Sequence, residues 1–303
     1  LWRRQRFLSI MKTFMPSYLV TGASGQLGQC FQAVAKEFLE VDLYFAKKNE
    51  VDITRLDTIS NGFKHKPFDG IINCAAYAAV DQAEKEEGNA FKINVDGIQN
   101  LIDFAEHKNL SIIHFSTDYV FDGQSTEPYT EAAATNPLGI YGKSKLEGET
   151  LLSTSRCSNV IVRTSWLFSP FATNFVKTIA HLAQEKSSLK VVDDQWGRPT
   201  YGLDLARTIL TLISNDTIYN FPILHYANEG VCSWKAFAEA IINEVEPTTV
   251  IHGIPSSDYP TLAKRPKYSI LDTQCIEKDL GITIPKWQDS LKKCIQILKS
   301  NGL

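Results

Sequence analysis

Along the first half of the chain, short runs of β-branched and aromatic residues alternate with stretches whose apolar positions recur at helical spacing. The runs at 18–21, 42–46, 70–73, 111–116 and 159–164 predict strands, and the stretches at 26–37, 56–65, 90–107 and 141–152 predict the helices between them. Ser111-Ile112-Ile113-His114-Phe115 lacks polar alternation. Such a run suits a strand of a parallel sheet covered on both faces. Strand and helix repeated in this way predict an α/β fold with a doubly wound parallel sheet. After Thr164 the pattern loosens, and Pro170, Pro199, Pro222, Pro255, Pro260 and Pro266 divide the chain into shorter pieces. Helical patterns return at 174–185, 203–214, 234–245 and 285–300, with Ser233 placed to cap the third and Pro285 expected in the first turn of the last. A smaller second domain is expected there. No internal repeat or low-complexity tract interrupts the pattern.

Composition narrows the class. With 303 residues, 44% hydrophobic and 21% charged, the chain can bury a sizeable core, which excludes disordered and fibrous proteins. The formal charge is −3 and the basic residues are scattered, so there is no electrostatic footprint for nucleic acid. Cys30, Cys74, Cys157, Cys232, Cys275 and Cys294 lie far apart, without the paired spacing of a zinc site or redox couple, and read as reduced, mostly buried small hydrophobes. The basic start with Arg3, Arg4 and Arg6 reads as a loose extension over 1–17, with Met11 and Met15 as alternative starts, because its apolar stretch is too short for a secretory signal. No run approaches membrane-spanning length, and a cytoplasmic protein is expected.

The sequence Tyr18-Leu19-Val20-Thr21-Gly22-Ala23-Ser24-Gly25-Gln26-Leu27-Gly28 sets three glycines between the first strand and the first helix. There the backbone of Gly22, Ser24, Gly25, Gln26, Leu27 and Gly28 can approach a pyrophosphate whose charge meets the helix N-terminus. The spacing is one residue wider than the common dinucleotide fingerprint, and a lone match could be an ordinary glycine-rich turn. Its place in a strand–turn–helix unit favours the dinucleotide. Where an NAD enzyme carries an acid at the end of the second strand, this chain reads Lys47-Lys48. Two ammonium groups there favour a 2′-phosphate and hence NADPH, with NADH and two merely solvated lysines as the alternatives. Asp52 and Ile53 are placed to meet the adenine. Ala75, Ala76 and Tyr77 supply small residues and backbone after the third strand, where a flat cofactor must lie close.

Tyr141 and Lys145 are four residues apart at the start of a helix and therefore share a face. Carbonyl reduction needs a proton at oxygen as hydride arrives at carbon, and a free phenol has a pKa of ~10. A lysine ammonium beside it is expected to make it a stronger acid. By itself such a pair is common on helix surfaces. The third member is Thr117, whose hydroxyl at the carboxyl end of the fourth strand can hold a carbonyl oxygen in the crevice, or simply cap the strand end. His114, inside an apolar strand, reads as a satisfied core histidine.

The glycine turn, the Ser/Thr after the fourth strand and Tyr-x-x-x-Lys together resemble the extended short-chain dehydrogenase/reductase family. Within it, Ser116-Thr117-Asp118-Tyr119-Val120-Phe121-Asp122-Gly123, Asn136-Pro137-Leu138-Gly139-Ile140-Tyr141-Gly142-Lys143-Ser144-Lys145 and Arg163-Thr164-Ser165-Trp166 resemble the dTDP-4-dehydrorhamnose reductases. Asp193-Asp194-Gln195-Trp196-Gly197-Arg198-Pro199-Thr200 and Ala263-Lys264-Arg265-Pro266 carry the likeness into the second half. The resemblance implies a Rossmann-like domain over 18–170, rejoined by part of 190–227, and a smaller nucleotide-sugar domain across most of 171–303. It implies reduction of the 4-keto group of dTDP-4-dehydro-β-L-rhamnose by NADPH to dTDP-L-rhamnose, the last step of dTDP-rhamnose biosynthesis. Tyr141 would donate the proton, Lys145 would bind the nicotinamide ribose and tune Tyr141, and Thr117 with Asp118 would contact the sugar. Val80, Asp81, Trp166 and Arg265 would also touch the substrate. For the last two, an indole offers a stacking platform and a guanidinium suits a diphosphate, although without the resemblance core packing and a surface ion pair are the preferred explanations.

The partner implied is a small nucleotide sugar, bound by a monomer or homodimer. Some relatives hold Mg²⁺ through acidic residues, one on the first helix, where this chain reads Gln29-Cys30-Phe31; no metal site is identifiable. Dehydratases of the same family resemble Thr-Asp-Glu after the fourth strand, whereas Asp118 is followed here by Tyr119. Loss of that base argues for plain reduction over dehydration or epimerisation. A non-catalytic regulatory subunit is the remaining alternative, and it would not need Thr117, Tyr141 and Lys145 together.

Overall fold

The computed structural model describes residues 15–302 apart from 65, 66, 246 and 247. The expected extension therefore lies outside the described residues except for its last three positions, and so does His65, the predicted end of the second helix.

Among the described residues, six parallel strands form the central sheet: β1 (Ser17–Thr21), β2 (Asp42–Phe45), β3 (Gly70–Asn73), β4 (Ser111–Thr117), β5 (Asn159–Thr164) and β6 (Ile223–Tyr226). Their order is β6-β5-β4-β3-β1-β2, which reverses direction at β1/β3 and opens a crevice at the carboxyl ends of the strands. Successive side chains point to opposite faces, so a strand covered on both must be apolar at every position. Val20, Ile72, Ile113 and Val162 enter one buried cluster, while Leu19, Ile71, Ile112 and Ile161 enter another. The continuous apolar runs thus have a direct physical cause.

Helices pack on both faces, with several differences from expectation. The first is α-helical over Gln26–Val34 and tightens to a 3₁₀ turn at Ala35–Glu37. The stretch predicted at 90–107 begins earlier, at Glu87–Phe91, passes through a π turn at Lys92–Asp96 and continues as Gly97–Lys108. Pro285 lies outside its helix, which spans Trp287–Ser300 with Lys286 as N-cap. The Pro285 carbonyl instead accepts from Glu229 N at 2.9 Å and Asn228 Nδ2 at 3.0 Å. Ser233 caps as expected, its Oγ accepting from Ala236 N at 3.2 Å.

Beyond β5, a parallel pair joins Ser188–Val192 to Val250–Ile254, flanked by the helices Phe175–Glu185 and Trp234–Val245. All six cysteines are free, four of them buried. Among the described residues, no helix is long and apolar enough to cross a membrane.

Candidate active site

The glycine turn is shaped by contacts that exclude side chains. Gly22 has φ +64°, and a Cβ there would lie 2.7 Å from Ala75 N. A Cβ on Gly28 would collide with the Gly22 carbonyl oxygen and the Ala23 backbone. Helical hydrogen bonding begins with Gln29 N–H to Gly25 O at 3.0 Å, so the N–H groups of Gln26, Leu27 and Gly28 have no partner within the helix. They are the edge of a candidate anion cradle, with Ser24 and Gly25 exposed at its rim and Leu27 anchored in the core. Gln26 is tied back through Nε2 to Leu167 O at 3.2 Å. Replacing Gly28→Ala should weaken NADPH binding about fivefold or more, since the neighbouring backbone must move by an amount that typically costs about 1–3 kcal/mol. Fluorescence titration with NADPH checks this, and unchanged affinity would contradict the close packing.

Around the cradle, Ala23 N donates to Ala46 O at 3.1 Å and brings the end of β2 alongside. Lys47 and Lys48 are exposed there, with Glu50 Oε2 accepting from Lys47 N at 2.8 Å. Asp52 turns its carboxylate onto Thr54, accepting from N at 3.0 Å and Oγ1 at 2.8 Å. Ile53 is a core residue against Gly97. Ala75 backs Gly22, and Ala76 is exposed beside it. Tyr77 N donates to Asn94 Oδ1 at 2.9 Å, and Tyr77 OH donates to Glu86 at 3.1 Å.

Tyr141 and Lys145 lie on the helix Ile140–Thr154, whose first N–H is met by Glu84, Ile140 N donating to Oε1 at 2.8 Å. Gly142 lets this helix close on the Tyr119 carbonyl, and Gly148 does the same at the Asn94 carbonyl. Asn94 joins the parts: it holds Tyr77 N and O and donates to Ser144 Oγ at 3.0 Å, while Ser144 donates to Tyr141 O at 2.9 Å. The ring of Tyr141 meets Tyr119 edge-on at 5.8 Å.

Burial pushes the Tyr141 phenol up to about 12; hydrogen bonding to Thr117 pulls it down and the Asp118 charge raises it. Lys145 is not among the groups that shift it. The lysine amine faces the sheet, 2.7 Å from Phe115 O and 3.1 Å from His114 Nε2. Its own pKa falls to about 8 through burial, opposed by Glu149. Thr117 Oγ1 donates to Asp118 Oδ1 at 3.1 Å and accepts from Tyr119 N at 3.2 Å, so it combines a capping role with contact to the phenol. Burial raises Asp118 to about 7, while Ser269 and Thr117 lower it.

Beside this group opens a cavity of about 820 Å³, lined among others by Tyr119, Lys190, Gln195, Trp234, Lys264 and Arg265. The Arg265 guanidinium grips Asp81 with both nitrogens, at 2.6 and 3.1 Å, next to Val80 at the start of a short helix. Trp166 stacks on a residue of the cavity wall. Its left-handed backbone, φ +46°, turns the indole onto Trp234 with ring centres 3.5 Å apart, and Trp234 is the indole on the cavity wall. Asn94, Glu84 and Trp234 escape sequence reasoning because each acts on an element distant in the chain.

Residues 16–300 fit the family model described as RmlD substrate binding domain. The chain belongs to the RmlD substrate binding domain family. A family relative, the dTDP-4-dehydrorhamnose reductase of Aggregatibacter actinomycetemcomitans, is 40% identical over 92% of this chain and 98% of its own length. The crystal structure of a dTDP-4-dehydrorhamnose reductase from Clostridium acetobutylicum superposes with a TM-score of 0.88 at 38% identity, covering 93% of this chain and 99% of that one. That of the Bacillus anthracis dTDP-4-dehydrorhamnose reductase in complex with NADP gives 0.87 at 34% identity, with the same coverage of 93% and 99%.

The residues fit the dinucleotide of this family: Gly22 and Gly28 let the turn close on the backbone of Ala75 and Ala23, and the N–H groups of Gln26, Leu27 and Gly28, without a partner within the helix, suit a pyrophosphate. Mg²⁺ fits poorly. Cys30 and Phe31 of the first helix are buried in the core, and among the described residues no cluster of three His, Cys, Asp or Glu side chains could hold a metal ion.

Proposed function

We propose that this protein reduces the 4-keto group of dTDP-4-dehydro-β-L-rhamnose to dTDP-L-rhamnose with NADPH. The observation that carries the reading is a buried run of hydrogen bonds linking the chemical pair to the glycine turn: Lys145 to His114, His114 to Asn73, and Asn73 to Thr21 and Ala75. Proton donor and phosphate cradle are thus built as one unit at the carboxyl edge of the sheet.

When bound, NADPH supplies the hydride that reaches C4. The Tyr141 hydroxyl gives its proton to the carbonyl oxygen as the C=O π bond opens, leaving a neutral alcohol. A phenol held near 12 keeps that proton throughout the physiological range. Thr117 offers a second hydrogen bond at the same oxygen, and Asp118 lies within reach of a sugar hydroxyl. Lys145 meets the nicotinamide ribose on the family pattern. Arg265, held by Asp81, presents a fixed charge to the diphosphate, and Trp234 supplies the stacking face expected of Trp166. Lys47 favours the 2′-phosphate of NADPH. The division into a dinucleotide domain and a sugar-nucleotide domain follows the two sides of this site. Six free thiols suit the reducing cytoplasm.

The purified protein should consume NADPH with the 4-keto sugar nucleotide and prefer it to NADH, a preference lost in Lys47→Glu. Spectrophotometric screening with both coenzymes tests this. Water release from dTDP-glucose would decide for a dehydratase instead.

A further inference from the structure

The mechanism above leaves His114 unused, although it is 1% exposed and touches the lysine at the centre of the site. Its hydrogen bonds can be sorted. Asn73 Oδ1 accepts from Ala75 N at 3.2 Å and from Thr21 Oγ1 at 2.6 Å. A backbone N–H can only donate, so the amide oxygen of Asn73 must face Ala75 and its Nδ2 must face His114 Nδ1, 3.0 Å away. Nδ1 is therefore an acceptor. A neutral imidazole then carries its proton on Nε2, the atom 3.1 Å from Lys145 Nζ. An N–H aimed at an ammonium would set donor against donor, whereas aimed at a free amine it makes a bond. The amine can still donate to Phe115 O at 2.7 Å.

We propose that His114, fixed in one tautomer by Asn73 and Thr21, is a positioning residue of the reduction whose Nε2–H, aimed at Lys145 Nζ, disfavours the ammonium and so makes the lysine give up its proton easily. The inference rests on the reductase reading for the part Lys145 plays in catalysis. The groups bearing on Lys145 are few. Glu149 lies one turn along the same helix and is itself paired with Arg163 at 2.6 Å; His114 faces the lysine from β4; Asn94, on the helix packed against it, is neutral. Burial moves His114 well below its ordinary value, so the imidazole stays neutral, and it moves Lys145 in the same direction.

Long-range ¹H–¹⁵N spectra of the full chain labelled with [¹⁵N]histidine give the first test, with the His114 signal assigned by its loss in His114→Gln. The expected result is a neutral ring protonated at Nε2 across the neutral range; an Nδ1–H tautomer or an imidazolium overturns the proposal. In His114→Gln the amide oxygen can accept from the ammonium, so the Lys145 titration, read from ¹³Cε-labelled lysine, should rise by about one pH unit. The basic limb of kcat/KM should rise with it. A lysine titration that stays in place, or one that moves without the kinetic limb, overturns the proposal. Failure of the reductase reading is seen separately, as absence of turnover in the wild-type protein.

Discussion

Tyr141→Phe should lower kcat by about 10²–10⁴ while leaving the affinity for NADPH within about threefold of wild type, because general acid catalysis is worth that much and the phenol oxygen is all that is removed. The ring itself is retained, and with it the edge-on contact to Tyr119 at 5.8 Å. The Ser144 hydrogen bond that anchors this position goes to the Tyr141 backbone carbonyl, which the substitution leaves in place. Stability should therefore change little. Steady-state kinetics together with coenzyme titration separates the outcomes. A variant that still turns over at the wild-type rate would remove Tyr141 as proton donor. Equal loss of coenzyme binding would make it a binding residue instead.

The sheet was legible because strands buried on both faces leave a continuous apolar record; β1, β3, β4 and β5 fall within a residue of their expected bounds. β6 left no such record. It is four residues long, follows Pro222 and carries His225, which is buried and accommodated only by its tertiary neighbours. The π turn at Lys92–Asp96 was hidden for a related reason: Asn94 is drawn inward by the backbone of Tyr77, and no local propensity records a bond between chain segments that meet only after folding. In the site, the spacing of Tyr141 and Lys145 was readable, but the acidity of Tyr141 was not. Spacing along a helix places two side chains on one face; burial and the sheet behind that face decide where each charged end points. Trp166 shows the same limit, since no local signal records the positive φ after β5 or the stacking on Trp234 that goes with it.

The largest loss of stability is expected at the other end of the catalytic helix. Glu149 and Arg163 are each 4% exposed in their side chains and are joined at 3.0 Å through Nε and 2.6 Å through Nη2. Arg163 also lies 5.2 Å over the ring of Phe121 and 3.4 Å from Glu131 O, so it ties β5 to the helix carrying Tyr141 and Lys145. Burying a carboxylate is tolerable only with its partner present. Arg163→Met keeps much of the packing volume but leaves Glu149 charged and alone, a change that costs about 3–5 kcal/mol. Glu149→Gln combined with Arg163→Met removes both charges and should recover most of that loss. The sign with pH follows from desolvation, which raises the carboxyl pKa of an unpaired buried Glu149 above its unfolded value. The deficit of the single variant is then full at pH above that raised value and shrinks as pH falls toward about 4.3, where the unfolded carboxyl also takes up its proton. Urea unfolding of the two variants at neutral and acid pH measures this. A single variant as stable as wild type at neutral pH would mean that the helix is held in place by packing alone, and that the pair contributes nothing to keeping Tyr141 and Lys145 against the sheet.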